Sequence, residues 1–244
     1  MKKLMNFSEW MVFESKTSVE PKIKMITAED IINHPSYPKG NDMVKEIAEN
    51  IEGKTFHHHI HVLHTLGEMM GESFNNYMEI GSFCGGSMCL MLQNENCKNY
   101  YAIDPFKAIN EQEKKFDANI KKYIKEGKNV NKLVGLSDDA KIIENAKNGC
   151  KEGVDILFID GSHAYGMVKK DFENFNEMVN PGGFIVFDDY EDHKDSPGVR
   201  KAVDEMRENG KFEGFNVIGN FKNAAKAHDN LNLENLNEYI LQKK

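Results

Sequence analysis

From Tyr77 onward the chain alternates short apolar runs with segments long enough to form a helix, and this alternation restricts the fold more than any other feature. The runs are YMEI (77–80), YYAID (100–104), NKLVG (131–135), VDILFID (154–160), FIVFDD (184–189) and FNVIG (215–219). Helical stretches are expected between them: SMCLML (87–92), a lysine-rich segment, Asp138 to Asn148, Met167 to Val179 and Pro197 to Asn209, with NPGG (180–183) as a turn. Strands joined by helix-length crossovers form a parallel sheet covered on both faces, a doubly wound α/β fold. Right-handed crossovers bring the carboxyl ends of the strands to one rim, and ligands of such sheets bind there, where strand order reverses. A weaker strand is expected around Asn223–His228 and a last helix over LENLNEYILQKK (233–244).

Ahead of this pattern, residues 1–40 read as irregular because Pro21, Pro35 and Pro38 interrupt any long helix. Apolar residues at helical spacing then predict helices over Asn41–Ile51 and from about His58 to Met70. The chain is therefore divided into an N-terminal helical segment, 1–75, and a principal domain, 76–244.

Composition narrows the function. With 40% hydrophobic residues among 244, a large core is available. A formal charge of −8 disfavours a phosphate backbone as partner, so no nucleic acid is expected. The lysines at 114, 115, 121, 122, 125, 128 and 132 read as a solvated face. Cys84, Cys89, Cys97 and Cys150 have neither zinc-site nor disulfide-framework spacing, which fits reduced thiols and a cytoplasmic protein. The first residues lack a secretory apolar stretch and no window is long enough to span a bilayer, so no membrane association is expected. Self-association is left open.

The strand ends carry the chemistry. Glu79-Ile-Gly81-Ser82-Phe83-Cys84-Gly85-Gly86-Ser87 stands where a strand passes into a helix. Glycines let the backbone approach a ligand, and a helix start offers N–H groups to an anion. The G-x-x-x-G spacing is wider than the dinucleotide fingerprint, which disfavours a nicotinamide dehydrogenase. It suits a carboxylate such as the methionine end of S-adenosylmethionine, with Ser87 as a donor and Glu79 accepting from an ammonium group. Asp104, ending the second strand, is placed to bind ribose hydroxyls. Ser137 and Asp138, after the third, reach toward an adenine, although Asp138 reads equally as a helix N-cap. Asp160 and the pair Asp188-Asp189 end the fourth and fifth strands, which are expected to be neighbours. Carboxylates meeting there repel unless a cation is shared among them, and a hard ion such as Mg²⁺ fits oxygen ligands. His163, on the loop after Asp160, is a candidate base for a hydroxyl proton. Tyr165, Lys169, Lys170 and Tyr190 are candidate substrate contacts. Bland readings stand beside these: a packing turn for the glycines, loop or helix caps for the aspartates, and a backbone hydrogen bond for the histidine.

His57, His58, His59, His61 and His64 form a further cluster. Their spacing allows a metal site or a lining for the ligand entrance, but with no carboxylate or cysteine adjacent they read first as surface and packing residues.

Taken together, these motifs resemble the class I S-adenosylmethionine-dependent methyltransferases, from about Tyr77 to Ala202. The nearest resemblance is to the macrocin-type sugar O-methyltransferases and cephalosporin-hydroxylase-like proteins, with catechol O-methyltransferase more distant. EIGSFCGGS is similar to that family's first motif and AID to its ribose-binding position. IDGSHAYGMVKKDFENF and NPGGFIVFDDY are similar to its strand-four and strand-five blocks, and PGVRKAVDE to the helix that follows. The resemblance implies a mostly parallel, seven-stranded Rossmann-like sheet with the N-terminal segment as a lid. It implies S-adenosylmethionine against Glu79, Gly81, Ser82, Phe83, Gly85, Ser87, Asp104, Ser137 and Asp160. It implies a divalent metal, Mg²⁺ first, on Asp160, Asp188 and Asp189, catalysis by His163 and Asp160, and a small-molecule or saccharide hydroxyl as acceptor. One departure is Ser162, where sugar-methylating relatives often carry an aspartate. A metal-dependent hydroxylase or hydrolase and a non-catalytic binding protein are the rival readings.

Overall fold

The computed structural model describes residues 24–53, 60–221 and 237–244. Seven strands form one sheet: β1 Asn76–Ile80, β2 Asn99–Asp104, β3 Asn129–Val134, β4 Val154–Ile159, β5 Val179–Phe187, β6 Phe215–Asn220 and β7 Tyr239–Lys243. Their order is β3-β2-β1-β4-β5-β7-β6. The pairs from β3 through β5 are parallel, while β7 runs antiparallel to both β5 and β6. The order reverses between β1 and β4, which places the ligand crevice at their carboxyl ends.

Eight α-helices accompany the sheet among the described residues: α1 Ala28–Ile32, α2 Tyr37–Asn50, α3 His61–Met70, α4 Gly86–Met91, α5 Gln112–Tyr123, α6 Ala140–Gly149, α7 Tyr165–Phe175 and α8 Pro197–Glu208. Period-two alternation sorts the strand residues between two cores. Tyr77, Ala102, Phe158 and Val186 face one core, shared with α1 to α5. Met78, Ile103, Leu157 and Phe187 face the other, shared with α6, α7 and α8. β1 and β4 are buried along their whole length, whereas β3 is the partly exposed edge.

The N-terminal segment is part of the first core: Ile31, Val44, Leu63 and Leu66 are completely buried there. It is also clipped to the far edge of the sheet. Gln242 Oε1 accepts from Ile26 N at 2.8 Å, and Asn216 Nδ2 donates to Ile26 O at 2.9 Å.

Several expectations are corrected. Residues 1–40 are not wholly irregular: Thr27 caps α1 in a reciprocal box with Asp30, and α2 starts at Tyr37 rather than Asn41. Pro38 is tolerated because it lies in the first turn, where no intrahelical N–H is required. The NPGG stretch belongs to β5 instead of preceding it, with a register irregularity opposite Val154 and Ile156. Asp139, not Asp138, caps α6, accepting from Lys141 N at 2.8 Å. The largest correction is at the C-terminus, where residues 239–243 form β7 instead of continuing a helix. Both faces of that strand are covered, so its apolar run shows no alternation to separate it from a helix. The strand expected at 223–228 lies outside the described residues.

Candidate active site at the carboxyl rim

Backbone hydrogen bonds just beyond the strands hold the rim in register. Gly81 N donates to Ile103 O (2.8 Å), Gly135 N to Asp104 O (3.1 Å), Asp160 N to Ile80 O (2.9 Å) and Asp188 N to Ile159 O (3.0 Å). Gly81, Asp104, Asp160 and Asp188 thus stand side by side on adjacent strands. The seam between β1 and β4 is tight: Gly81 has φ 93°, and a Cβ added there would collide with the Asp160 carbonyl. Left-handed backbone also recurs at non-glycine residues along this rim, at Phe83 (φ 44°), Phe106 (φ 50°) and Asp189 (φ 56°). Such conformations cost free energy and cluster where a site requires them.

On the β1–β3 side the polar groups are braced by the chain. Glu79 is fully buried on β1, and its Oε2 accepts from Tyr77 Oη and Ser87 Oγ, each at 2.9 Å. Burial pushes its carboxyl up to about 7, against the pull of the Ser82, Ser87 and Tyr77 hydroxyls. The Ser87 hydroxyl is therefore committed to Glu79. Glu79 Oε1 and Ser82 Oγ are buried at the turn, a polar lining that fits a ligand carrying both ammonium and carboxylate groups. Asp104 accepts from Phe83 N (2.9 Å), Phe106 N and Gln112 Nε2 (3.0 Å), which ties the loops after β1 and β2 together. Burial raises its pKa and these three bonds oppose the rise. Ser137 is buried beyond β3, and its hydroxyl donates to Asp171 on α7.

The β4–β5 side is crowded with acids. Asp160, His163 and Asp189 offer ligand atoms within 4.8 Å of one another. Burial, then the charges of Asp188 and Asp189, raise the Asp160 carboxyl well above the usual carboxylate range. His163 Nε2 lies 3.4 Å from Asp160 Oδ1, and Nδ1 lies 3.6 Å from Asp189 Oδ2. Two carboxylates converging this closely, with an imidazole beside them, have the oxygen-donor chemistry of a divalent-cation site. Asp188, 3% exposed, stands beside them.

The other sequence candidates are engaged elsewhere. Lys169 and Tyr165 meet Glu205, Lys170 pairs with Asp138 at 2.9 Å, and Tyr190 is buried with its hydroxyl on Asp204. His57, His58 and His59 lie outside the described residues. His61 and His64 are buried in α3, and burial followed by the charge of Lys125 lowers His64 to about 4, so it is neutral. Within the lysine group, Lys132 meets Glu113 and Asp117, and Lys128 caps the carbonyls of Asn94 and Cys97. The four cysteines are free and buried. No helix among the described residues is long and apolar enough to cross a membrane.

Three residues at or near this edge escaped the sequence reading. Asp171 is fully buried, and burial raises it to about 6; an aspartate inside an amphipathic helix gives no signal of its own. Glu238 is fully buried just before β7. It precedes Tyr239, the antiparallel partner of Phe187, so the register carried one residue further sets it opposite Asp188, and its charge helps raise the pKa of the Tyr37 phenol. Ser196, 1% exposed, joins His163 to Asp189. Both of the latter depend on pairings distant in sequence.

Comparison with known proteins agrees with this architecture. A family model described as a methyltransferase domain matches residues 78–190. Protein R132 of Acanthamoeba polyphaga mimivirus, itself uncharacterized, is 39% identical over 210 residues, 81% of this chain and 92% of the viral protein. A Staphylococcus aureus structure provisionally described as a caffeoyl-CoA O-methyltransferase superposes with a TM-score of 0.57 at 18% identity, covering 84% of this chain and 92% of that one. An O-methyltransferase from Bacillus cereus in complex with SAH gives 0.56 at 15% identity, covering 84% and 91%. At these identities the structural likeness speaks for the fold. The chain therefore belongs to the same family as the viral protein R132, carries a match to a methyltransferase domain over residues 78–190, and has a Rossmann-like methyltransferase fold.

Proposed function

We propose that the protein is an O-methyltransferase that moves the methyl group of S-adenosylmethionine to a hydroxyl of a small molecule or saccharide, assisted by a divalent cation, Mg²⁺ first. The observation that carries this reading is the adjacency of Gly81 and Asp160 at one seam, which sets a polar glycine turn beside a cluster of acids. The O-methyltransferase neighbours support oxygen as the receiving atom. The macrocin-type placement rests on the resemblance of the strand-four and strand-five blocks, and Ser162 is its departure.

The turn from Gly81 to Ser87 and the buried Glu79 would hold the methionine end, and Asp104 the ribose. When bound, S-adenosylmethionine supplies a sulfonium methyl whose C–S bond breaks as the acceptor's C–O bond forms, the electron pair staying on sulfur. Asp160, Asp188 and Asp189 would hold the cation, which supplies positive charge that lowers the acceptor hydroxyl's pKa. His163 Nε2 takes the hydroxyl proton, and the imidazolium is stabilised by Asp160 and Asp189. The N-terminal helices, packed on the same core, close the acceptor side as a lid.

Calorimetry with S-adenosylmethionine tests the first half, with sub-millimolar binding expected; absence of binding removes the reading. Release of S-adenosylhomocysteine with a panel of catechol and sugar hydroxyls tests the second. Loss of turnover in EDTA and recovery with Mg²⁺ are expected, and turnover indifferent to EDTA removes the metal.

A further inference from the structure

We propose that Asn119, on α5, is a positioning residue for the methionine end of the cofactor. Its amide holds the Cys84 peptide of the glycine turn and ties that turn to the N-terminal segment. The role rests on the reading of the turn as the S-adenosylmethionine cradle.

Asn119 is buried, and its amide is shared between two stretches far from it in sequence. Oδ1 accepts from Glu52 N at 3.0 Å. Nδ2 donates to Glu52 O at 3.0 Å and to Cys84 O at 2.8 Å. The amide has two hydrogens and each meets one carbonyl, so all three bonds form together. The network also fixes its orientation, because only the oxygen can face the Glu52 N–H. A flipped amide would set its NH₂ against that N–H and its oxygen against two carbonyls.

The bond to Cys84 falls where the turn needs outside support. Phe83 has φ 44° and Gly85 φ 84°, so left-handed backbone flanks Cys84 on both sides. For a residue with a side chain, such backbone persists only when its surroundings enforce it. The peptide between Cys84 and Gly85 is held at both ends, its carbonyl by Asn119 and its N–H by Ser82 O at 2.7 Å. One residue earlier, Phe83 N is taken by Asp104. α5 also lies directly against the turn: a Cβ on Gly85 would stand 3.0 Å from Phe116 Cδ2. A change at Asn119 therefore reaches the cradle's backbone without touching a group that faces the ligand.

The N-terminal segment meets this arrangement just after α2. Gly53 has φ 90°, and a Cβ there would lie 2.6 Å from Cys84 Sγ and 3.1 Å from Lys115 Cδ. Residue 53 thus rests on the Cys84 side chain while Asn119 grips the backbone of residue 52. Docking of this segment and affinity for the methionine group are linked through one amide, and such linkage is reciprocal.

The test compares two ligands on the full-length protein by calorimetry. One is S-adenosylhomocysteine; the other is 5′-methylthioadenosine, which keeps the nucleoside and sulfur but lacks the amino-acid end. Asn119→Ala is expected to weaken S-adenosylhomocysteine by about tenfold, the worth of roughly one hydrogen bond, and to leave 5′-methylthioadenosine unchanged. Gly53→Ala, which alters neither α5 nor the turn, should give the same selective loss, and it carries the test if Asn119→Ala does not fold. A role confined to stability would move both ligands or neither, and that result overturns the proposal. Thiol alkylation read by mass spectrometry adds a measure that needs no ligand. Cys84, 1% exposed beneath Gly53, should react several-fold faster in both variants while Cys89 and Cys97 stay protected; an unaltered Cys84 overturns the tie. A wild-type chain that binds neither ligand sinks the proposed function, and the alkylation pattern still decides whether Asn119 joins residues 52–53 to the turn.

Discussion

On the rim formed by β1, β2 and β3, acidic groups take hydrogen bonds from the chain itself, whereas on the β4–β5 side carboxylates press on one another. Glu79 is braced by two hydroxyls and Asp104 by two backbone N–H groups and an amide. Asp160 instead faces the charges of Asp188 and Asp189. The first half is held together largely by donors of the chain itself. The second holds electrostatic strain that a shared cation would relieve, and strain of that kind marks a place where chemistry, more than binding, can be organised.

The halves meet at Gly81, and Gly81→Ala should be the most damaging change. A methyl group would collide with the Asp160 carbonyl at a φ that disfavours side chains. A loss of about 3 kcal/mol or more in denaturant unfolding is expected; a variant of wild-type stability would show that the seam is loose.

Glu79 isolates the electrostatics of the cradle. Unfolded, the carboxyl titrates near 4.5; buried, it is raised to about 7. Between those values the native state keeps a proton that the unfolded chain has lost, so its contribution is full below about 4.5 and declines as pH climbs to 7. His64 acts oppositely, because its pKa falls from 6.5 to about 4, and native stability gains as pH rises across that window. The wild-type profile is therefore a partial cancellation. The difference between wild type and Glu79→Gln should reveal the buried carboxyl as a slope on the order of 3 kcal/mol across the interval. A flat difference would mean that the cradle tolerates a charged Glu79.

Paired substitutions test the contrast directly. Asp104→Asn removes an acceptor from donors that remain buried, and should cost about 1–3 kcal/mol. Asp160→Asn removes a repelling charge, and should raise the melting temperature of the metal-free protein while abolishing turnover. Destabilisation by both would break the comparison.

The smallest effect expected is cation binding. Mg²⁺ should raise the wild-type melting temperature, by about 0.6 kcal/mol of stabilisation at twice its dissociation constant. Asp160→Asn should show little response and Asp104→Asn an undiminished one.

Much of this contrast was legible in the primary structure. Gly81, Gly85, Asp104, Asp160, Asp188 and Asp189 were readable because each lies within a few residues of a strand's end, and in a parallel sheet strand ends are collected by topology. Tyr165 and Lys169 reach Glu205 on α8 and Lys170 reaches Asp138 after β3, partners distant in sequence that nothing local announces. The C-terminal segment was misread because a strand covered on both faces has no period of two. Glu238, which stands opposite Asp188 only through that strand, was lost with it.

The chain's own pattern determined the doubly wound sheet, the rim and most of its acids, because burial periodicity and turn chemistry are local properties. Tertiary structure alone decided which hydroxyl faces which ring: that Ser87 serves Glu79, and that Ser196 abandons its cap to join His163 to Asp189. The first contact closes across a single strand–turn–helix unit and the second depends on how α8 packs against the loop after β4, and no spacing along the chain encodes a distance of about 3 Å in either.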